Sequence, residues 1–142
     1  MQMSTLEKAI VIATQAHAGQ VDKGGNPYIL HPLRIMLKMS TVETMISAVL
    51  HDVLEDTDVT VGELRNEGFS EEIIAAVIAL TRNDDETYME FVGRTKQNPI
   101  ARLVKLGDLE DNSDLSRIPE PTEKDHERLL RYKRAIKELL SI

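Results

Sequence analysis

The spacing of apolar residues along the chain is helical almost throughout. Apolar residues recur at intervals of three and four from Leu6 to Ala16, and between Thr41 and Leu54 they occupy most of a helix circumference. The second of these helices should therefore lie at the centre of the fold. No segment shows a convincing alternation of apolar and polar residues, so no half-buried strand is expected.

Capping and helix-breaking residues divide this pattern into separate helices. Glycines and a proline interrupt residues 18–28, and Pro32 suits the first turn of the helix that follows. Ser70 is placed to cap another helix, and Thr122 with Asp125 resembles a capping box. The expected helices cover about 6–17, 32–39, 41–54, a short segment ending at residue 68, 70–82, 85–97, 99–113 and a final helix after residue 122. These signals predict an all-α bundle of about six to eight helices.

Composition limits the possible classes of protein. The chain has 142 residues, 42% of them hydrophobic, which fits a single globular domain over 1–142. Its net charge of −7 argues against a nucleic-acid or anionic-membrane binder, although a local cluster or a metal can still attract a small anion. The absence of cysteine excludes disulfides and thiolate metal sites. No apolar run approaches a membrane span and no signal peptide is seen, so we expect a cytoplasmic protein; its oligomeric state is open.

Polar groups whose burial costs free energy interrupt the most hydrophobic part of the chain, "AVLHDVLEDT". On a continuous helix, Glu55 would lie one turn after His51, and Asp56 one turn after Asp52. A buried carboxylate without a partner costs several kcal/mol, whereas coordination of a divalent cation reverses that penalty. Imidazole with carboxylate oxygens suits manganese, iron, zinc or magnesium. The alternative is a helix end whose charges simply reach solvent.

Two further polar residues follow apolar segments elsewhere in the chain. His31 lies directly before Pro32, and Asp108 lies in "RLVKLGDLEDN" with Asn112 four residues later on the same helix face. Taken alone, the histidine is typical of a turn and the aspartate of a solvated helix end. Together with the HD pair they form a set in the order H…HD…D, each member on an apolar element, and this set favours a metal site.

These motifs resemble the HD superfamily of metal-dependent phosphohydrolases. More narrowly, "AHAGQ…GGNPYILHPLRI", "AVLHDVLEDT" and "RLVKLGDLEDN" resemble the hydrolase domain of the RelA/SpoT alarmone enzymes and free-standing small alarmone hydrolases, such as the metazoan SpoT homologue. The resemblance covers roughly residues 5–115 and implies a helical HD domain. Because the chain ends where the synthetase domain of the long enzymes would begin, we expect an enzyme that only degrades the alarmone.

The resemblance also implies a reaction and the residues that perform it. The family removes pyrophosphate from the 3′ position of guanosine tetra- or pentaphosphate, giving GDP or GTP. A manganese ion, with iron, zinc or magnesium as alternatives, is expected on four ligands: His31, His51, Asp52 and Asp108. Glu55 and Asp56 match the pair expected to orient or deprotonate the attacking water, and sequence does not decide which of them is the base.

Substrate contacts are assigned to four residues by the same resemblance. Asn112 matches an asparagine that contacts the nucleotide, Lys23 is the favoured phosphate-binding cation, and Tyr28 belongs to the same opening motif. Asp22 stands where the family commonly has a basic residue that stacks on guanine. An aspartate cannot stack and can repel phosphate, although it can accept a hydrogen bond from the guanine edge.

The third motif departs from the family pattern as well. Glu110 and Asp111 add negative charge next to the expected polyphosphate pocket, where a basic, aromatic or histidine residue often precedes the asparagine. Arg34 and Lys105 are additional cations for a phosphate, or ordinary surface charges. His17 and His126 are left outside the site. Two alternatives stay open: hydrolysis of another phosphorylated nucleotide such as NADPH or a nucleoside polyphosphate, and a non-catalytic nucleotide-binding HD module.

Overall fold

The structure, a computed structural model, describes residues 4–141, and this part of the chain is helical. Its elements are α1 (Leu6–Ala16), α2 (Leu30–Lys38), α3 (Val42–Val49), α4 (Val53–Asp56), α5 (Val61–Asn66), α6 (Glu71–Ala79), α7 (Tyr88–Lys96), α8 (Pro99–Asn112), a 3-10 helix (Leu115–Arg117) and α9 (Glu123–Leu140). Within 4–141 the only β-type pairing is one isolated bridge between Val21 and Pro27. The all-α prediction is confirmed, and the helix count is eight if α3 and α4 are taken as one interrupted helix.

Several helices begin or end at the capping residues that the sequence predicts. Ser70 accepts a hydrogen bond from the backbone of Ile73, and Thr122 forms the predicted capping box with Asp125. Gly68, which follows α5, has a φ of +89°, a conformation that favours glycine at a helix end. Local chemistry therefore fixes these boundaries before any tertiary packing is considered.

The predicted helix 41–54 is interrupted at residues 50–52. The Nδ1 atom of His51 lies 2.7 Å from the carbonyl oxygen of Ala48, and the His51 backbone N–H donates to the same oxygen at 3.3 Å. In a continuous helix that oxygen would accept from Asp52 instead. The histidine side chain thus competes for a backbone acceptor and ends α3. The expected stacking of Glu55 one helical turn below His51 is wrong, because His51 lies in the turn between α3 and α4 and Glu55 lies on α4.

Helix α3 lies at the centre of the fold, as predicted. It contacts α1, α2, α6 and α8, and its residues Ala48 and Val49 and the following Leu50 are completely buried. Helices α2 and α8 also contact each other, so the end of α3 meets both of them. Helix α9 packs on α7 and α8 through Ala135 and Leu139. No helix within residues 4–141 is long and apolar enough to cross a membrane.

Candidate metal centre

Helices α2 and α8 and the end of α3 bring three of the predicted ligands together. Potential ligand atoms of His31, His51 and Asp108 all lie within 4.8 Å of one another, and all three side chains are buried. The Nε2 atom of His31 is 2.9 Å from Oδ1 of Asp108, and Nε2 of His51 is 3.5 Å from the same oxygen. The fourth predicted ligand is adjacent, because Oδ2 of Asp52 lies 2.9 Å from Nε2 of His51. Residues distant in sequence thus surround one small volume.

The His51 ring is held in the orientation that a metal ligand needs. A carbonyl oxygen can only accept, so the contact with Ala48 places the proton of a neutral ring on Nδ1 and leaves the Nε2 lone pair free. That Nε2 atom is buried and makes no hydrogen bond of acceptable geometry with any described residue. A buried nitrogen lone pair facing two carboxylates suits a divalent cation. The donor set of imidazole nitrogens and carboxylate oxygens fits such an ion.

The cluster favours positive charge at its centre. Burial raises the pKa of Asp108, but the Lys105 ammonium and the imidazoles of His31 and His51 outweigh it and hold that pKa well below its usual range. Burial lowers the pKa of His51, yet the nearby negative charges of Asp52 and Asp108 bring it well above the ordinary value. Protons on the imidazoles and a divalent cation are two ways of supplying the same positive charge.

Asp111 orients His31 from the side opposite Asp108. Its Oδ2 atom lies 2.6 Å from Nδ1 of His31, and its two oxygens accept from Nε and Nη2 of Arg34 at 2.8 and 2.9 Å. The negative charge expected at Asp111 is therefore present, but its contacts with His31 and Arg34 compensate it. The sequence spacing is consistent with this pairing, although it did not predict it. His31 and Arg34 lie three residues apart on one helix face, and so do Asp108 and Asp111.

A second group of carboxylates lies beside the histidines. Oxygen atoms of Asp52, Glu55 and Asp56 lie within 4.8 Å of one another. Burial raises the pKa of Glu55 and of Asp56, and the charge of Asp52 raises both further. The Oε1 atom of Glu55 accepts a hydrogen bond from the backbone of Arg82 at 3.1 Å, which fixes the side chain in place. Glu55 lines the adjacent cavity, whereas Asp56 is not among its described lining residues.

This cavity has a volume of about 450 Å³ and opens directly onto the cluster. His31, Asp52 and Asp108 form one wall, and residues of the 18–28 loop, the 3-10 helix and α9 form the others. On the α9 side, Nζ of Lys23 lies 3.2 Å from the buried carboxylate of Asp125. Such a volume is within the usual range for small-molecule sites, and a nucleotide is a ligand of suitable size.

All four residues predicted to bind substrate line this cavity, and each of them, like Lys23 with Asp125, also binds another group of the protein. One oxygen of Asp22 accepts from the backbones of Gly24 and Asn26, both at 2.9 Å, and so shapes the loop. The Tyr28 hydroxyl donates to Asp52, and Nδ2 of Asn112 donates to Asp108 at 3.1 Å. Tyr28 and Asn112 are therefore in position to orient two of the predicted ligands.

The two histidines left outside the site differ in environment. His126 is exposed, whereas His17 is buried and its ring lies 4.8 Å from the Tyr28 ring. The Nδ1 atom of His17 is 2.9 Å from the side-chain oxygen of Gln20, which fixes its orientation. His17 thus packs behind Tyr28, and neither histidine is among the described residues that line the cavity.

Comparison with known proteins places this chain in a family. The chain matches the family described as HD domain over residues 9–129. It belongs to the HD-domain family. This HD domain is 36% identical over 119 residues to a guanosine-3′,5′-bis(diphosphate) 3′-pyrophosphohydrolase of Aquifex aeolicus, covering 75% of this chain and 17% of that protein. It is 45% identical over 67 residues to a protein of the same description from Vibrio cholerae, covering 44% of this chain and 10% of that protein.

A solved structure shows the same fold. A metazoan orthologue of SpoT that hydrolyses ppGpp superposes with a TM-score of 0.77 at 20% sequence identity, covering 99% of this chain and 87% of that one. At this level of identity the likeness confirms the HD-type helical bundle. The chain spans about one sixth of the length of the Aquifex relative, or 17%.

Proposed function

We propose that this HD domain hydrolyses the 3′-pyrophosphate of guanosine tetra- or pentaphosphate, giving GDP or GTP and pyrophosphate. The observation that carries the proposal is the meeting of two groups of side chains beside one cavity: the cluster of His31, His51 and Asp108, and the carboxylates of Asp52, Glu55 and Asp56. His31, Asp108, Asp52 and Glu55 line that cavity directly. The similarity to pyrophosphohydrolases of that specificity supports the choice of substrate. The proposal includes a cytoplasmic location for the protein.

Four residues would hold the cofactor: His31, His51, Asp52 and Asp108. We expect manganese, because a mixed set of imidazoles and carboxylates suits it, and iron, zinc and magnesium are the alternatives to test. A bound divalent cation supplies a Lewis acid that polarises a phosphoryl oxygen and lowers the pKa of a coordinated water. Tyr28 keeps the Asp52 carboxylate in place through its hydrogen bond, and Asn112 does the same for the Asp108 carboxylate.

Glu55 is the better placed of the two candidate bases, because it lines the cavity and its backbone contact with Arg82 fixes it. It would accept a proton from the attacking water as the water oxygen forms a bond to the 3′ phosphorus. The bond from that phosphorus to the ribose O3′ breaks, and O3′ takes up a proton. The raised pKa of Glu55 suits a base that operates near neutral pH. The negative charge of Asp56 contributes to that raised pKa.

A substrate panel tests the proposal. The purified protein is incubated with Mn²⁺, Fe²⁺, Zn²⁺ or Mg²⁺ and with ppGpp, pppGpp, GTP or NADPH, and nucleotide products and pyrophosphate are measured. We expect GDP from ppGpp and GTP from pppGpp, with ¹⁸O from labelled water entering pyrophosphate and not the nucleotide. The Asp52→Asn variant should lose turnover, and the exposed Asp58→Asn variant should keep it. Turnover of NADPH alone, or of no nucleotide in the panel, would contradict the proposal.

A further inference from the structure

Arg34, beside the cluster, uses one edge of its guanidinium to bind a carboxylate and has the other edge free of hydrogen bonds to residues 4–141. Arg34 lies on α2 one turn after His31, lines the cavity, and has a side chain that is 30% exposed. Its Nε and Nη2 atoms donate to the two oxygens of Asp111 at 2.8 and 2.9 Å. Its Nη1 atom makes no hydrogen bond with any residue in 4–141. The buried carboxylate therefore fixes the guanidinium plane and leaves donors available to a ligand in the cavity.

Arg34 is close to the candidate metal centre. A single oxygen, Oδ2 of Asp111, contacts both Nη2 of Arg34 at 2.9 Å and Nδ1 of His31 at 2.6 Å. The other nitrogen of that imidazole faces Asp108 at 2.9 Å. The guanidinium and the cluster thus flank the same histidine ring. Because Arg34, His31 and Asp108 all line the same cavity, one ligand with two neighbouring phosphate groups could contact both the guanidinium and the cluster.

Arg117 reinforces the same wall of the cavity. Its Nη2 atom donates to the backbone oxygen of Asp111 at 2.7 Å and lies 3.3 Å from the carboxylate, and its Nη1 atom donates to the half-exposed Asp114 at 3.1 Å. Arg117 also lines the cavity. Two guanidiniums therefore share one buried carboxylate, and Asp111 holds both of them in place.

The remaining cations of the cavity are less available. Lys105 is buried and donates to Asp108 at 2.9 Å, and Lys23 and Arg128 both contact the carboxylate of Asp125. Lysine offers one compact ammonium, whereas arginine can bind a carboxylate with one edge and a phosphate with another. Arg34 is thus the cation beside the cluster best suited to bind a phosphate without losing its own anchor.

We propose that Arg34, held by Asp111 and assisted by Arg117, forms an anion subsite for the outer phosphate of a diphosphate group bound beside the His31–His51–Asp108 cluster. This inference rests on the proposed function, which supplies a diphosphate as the group to be bound. Because Asp111 fixes the guanidinium before the ligand arrives, little side-chain entropy is lost on binding. The subsite would make binding depend on the diphosphate rather than on the guanine base.

Calorimetric titration with inorganic pyrophosphate tests the subsite without turnover, with the same free Mn²⁺ concentration in cell and syringe. We expect Arg34→Gln to weaken pyrophosphate binding at least tenfold, as expected for loss of a charge-assisted contact, while Mn²⁺ remains bound. Arg34→Lys keeps the charge and one bond to Asp111, and should still weaken binding several-fold. Arg65→Gln is the matched control, because Arg65 also donates to a carboxylate through two nitrogens, in an exposed ion pair with Glu71. This variant should bind pyrophosphate like the wild type.

Equal pyrophosphate affinity in the wild type and in Arg34→Gln would overturn the proposal, as would a wild-type protein that does not bind pyrophosphate. If Arg34→Gln fails to fold by circular dichroism, the comparison of wild type with Arg34→Lys decides, and equal affinities would again overturn it. A wild type whose pyrophosphate binding depends on Arg34, but which hydrolyses no alarmone, would support the subsite and reject only the proposed function. Pyrophosphate binding thus tests the subsite, and alarmone hydrolysis tests the proposed function, so each can fail without the other.

Discussion

Two polar networks in this molecule differ in how completely the protein satisfies them. The first joins α7 to the loop between α6 and α7 through Arg94 and Glu86, and the second is the cluster around Asp108. In the first, both oxygens of Glu86 accept from Arg94, at 2.8 and 2.9 Å, and one of them also accepts from the backbone of Asn83 at 2.8 Å. Arg94 also donates to the carbonyl oxygen of Thr81 at 2.8 Å. The charges and hydrogen-bond donors of this first network thus have partners within the protein.

The cluster around Asp108 is different. Nε2 of His51 is buried and lacks a hydrogen bond to any described residue, although two carboxylates lie within 3.5 Å of it. A buried polar atom without a partner costs free energy, so a stable fold retains such an atom only where something else compensates for it. The Glu86–Arg94 network, which we call saturated because its polar groups have protein partners, holds α7 to the loop before it. The cluster around Asp108, which we call unsaturated, is suited to hold a ligand. Nε2 of His17 is also buried without a hydrogen bond to any of residues 4–141, so it is the two carboxylates beside Nε2 of His51 that point to a ligand there.

The largest expected effect comes from removing the candidate base from the unsaturated network. Glu55→Gln keeps the size of the side chain but cannot take up a proton, so turnover of ppGpp should fall by about 10²- to 10³-fold. Mn²⁺ should remain bound, because Glu55 is not among the predicted ligands. Steady-state kinetics and a Mn²⁺ titration check the two parts, with Glu63→Gln on α5 as a control that should change neither. Full turnover in Glu55→Gln would reject the assignment.

A smaller effect is expected from the residue that orients His31. Asp111→Asn keeps an acceptor for Nδ1 of His31 but removes the charge, and loss of such an outer contact typically weakens metal binding about 10- to 100-fold. Mn²⁺ affinity, measured by titration with detection by electron paramagnetic resonance, provides the check. Asp114→Asn is the matched control, because Asp114 contacts Arg117 and is half exposed. Unchanged affinity in Asp111→Asn would mean that this carboxylate is purely structural.

Two glycine substitutions compare the cavity with the saturated network directly. A Cβ atom on Gly24 would collide with the backbone oxygen of Arg117, so Gly24→Ala must separate the 18–28 loop from the 3-10 helix. We expect KM for the substrate to rise several-fold, with a smaller change in kcat. Gly93, within α7 near Arg94, has no atom within 4 Å of such a Cβ, so Gly93→Ala should raise the free energy of unfolding by about 0.5–1 kcal/mol. Equal effects on KM from both substitutions would contradict this difference.

The smallest expected effect is the acid sensitivity of the saturated network. Hydrogen bonds from Arg94 and from the backbone of Asn83 lower the pKa of Glu86 to about 2 from its ordinary value of 4.5. A lowered carboxyl pKa stabilises the fold fully above the ordinary value, and this stabilisation is lost as the pH falls toward 2. Urea unfolding at pH 6 and pH 3 should therefore show a larger loss of stability for the wild type than for Glu86→Gln. Equal losses would show that this ion pair contributes nothing.

The sequence was most informative where local chemistry decides the structure. Helix caps such as Ser70 and Thr122 depend only on near neighbours, and the apolar pattern of α3 predicts its central position. The structure confirms the all-α fold and brings His31, His51 and Asp108 together. That these residues and Asp52 bind a metal is still a prediction.

Long-range partners and competition for backbone acceptors could not be predicted in this way. The interruption between α3 and α4 arises because the His51 side chain takes the Ala48 carbonyl oxygen, a choice that helical periodicity does not reveal. Asp111 looked like an uncompensated charge because its partners, His31 and Arg34, lie about 80 positions away in the chain. Only the packing of α2 against α8 shows that the three side chains form one unit.

Pulsed electron paramagnetic resonance of the Mn²⁺-loaded protein tests the central claim most directly. The claim is that two imidazoles, from His31 and His51, bind one divalent ion together with nearby carboxylates. We predict ¹⁴N couplings from two histidine nitrogens in the wild type and from one in each of the variants His31→Gln and His51→Gln. A wild-type spectrum without nitrogen couplings, or couplings that persist unchanged in both variants, would contradict the account.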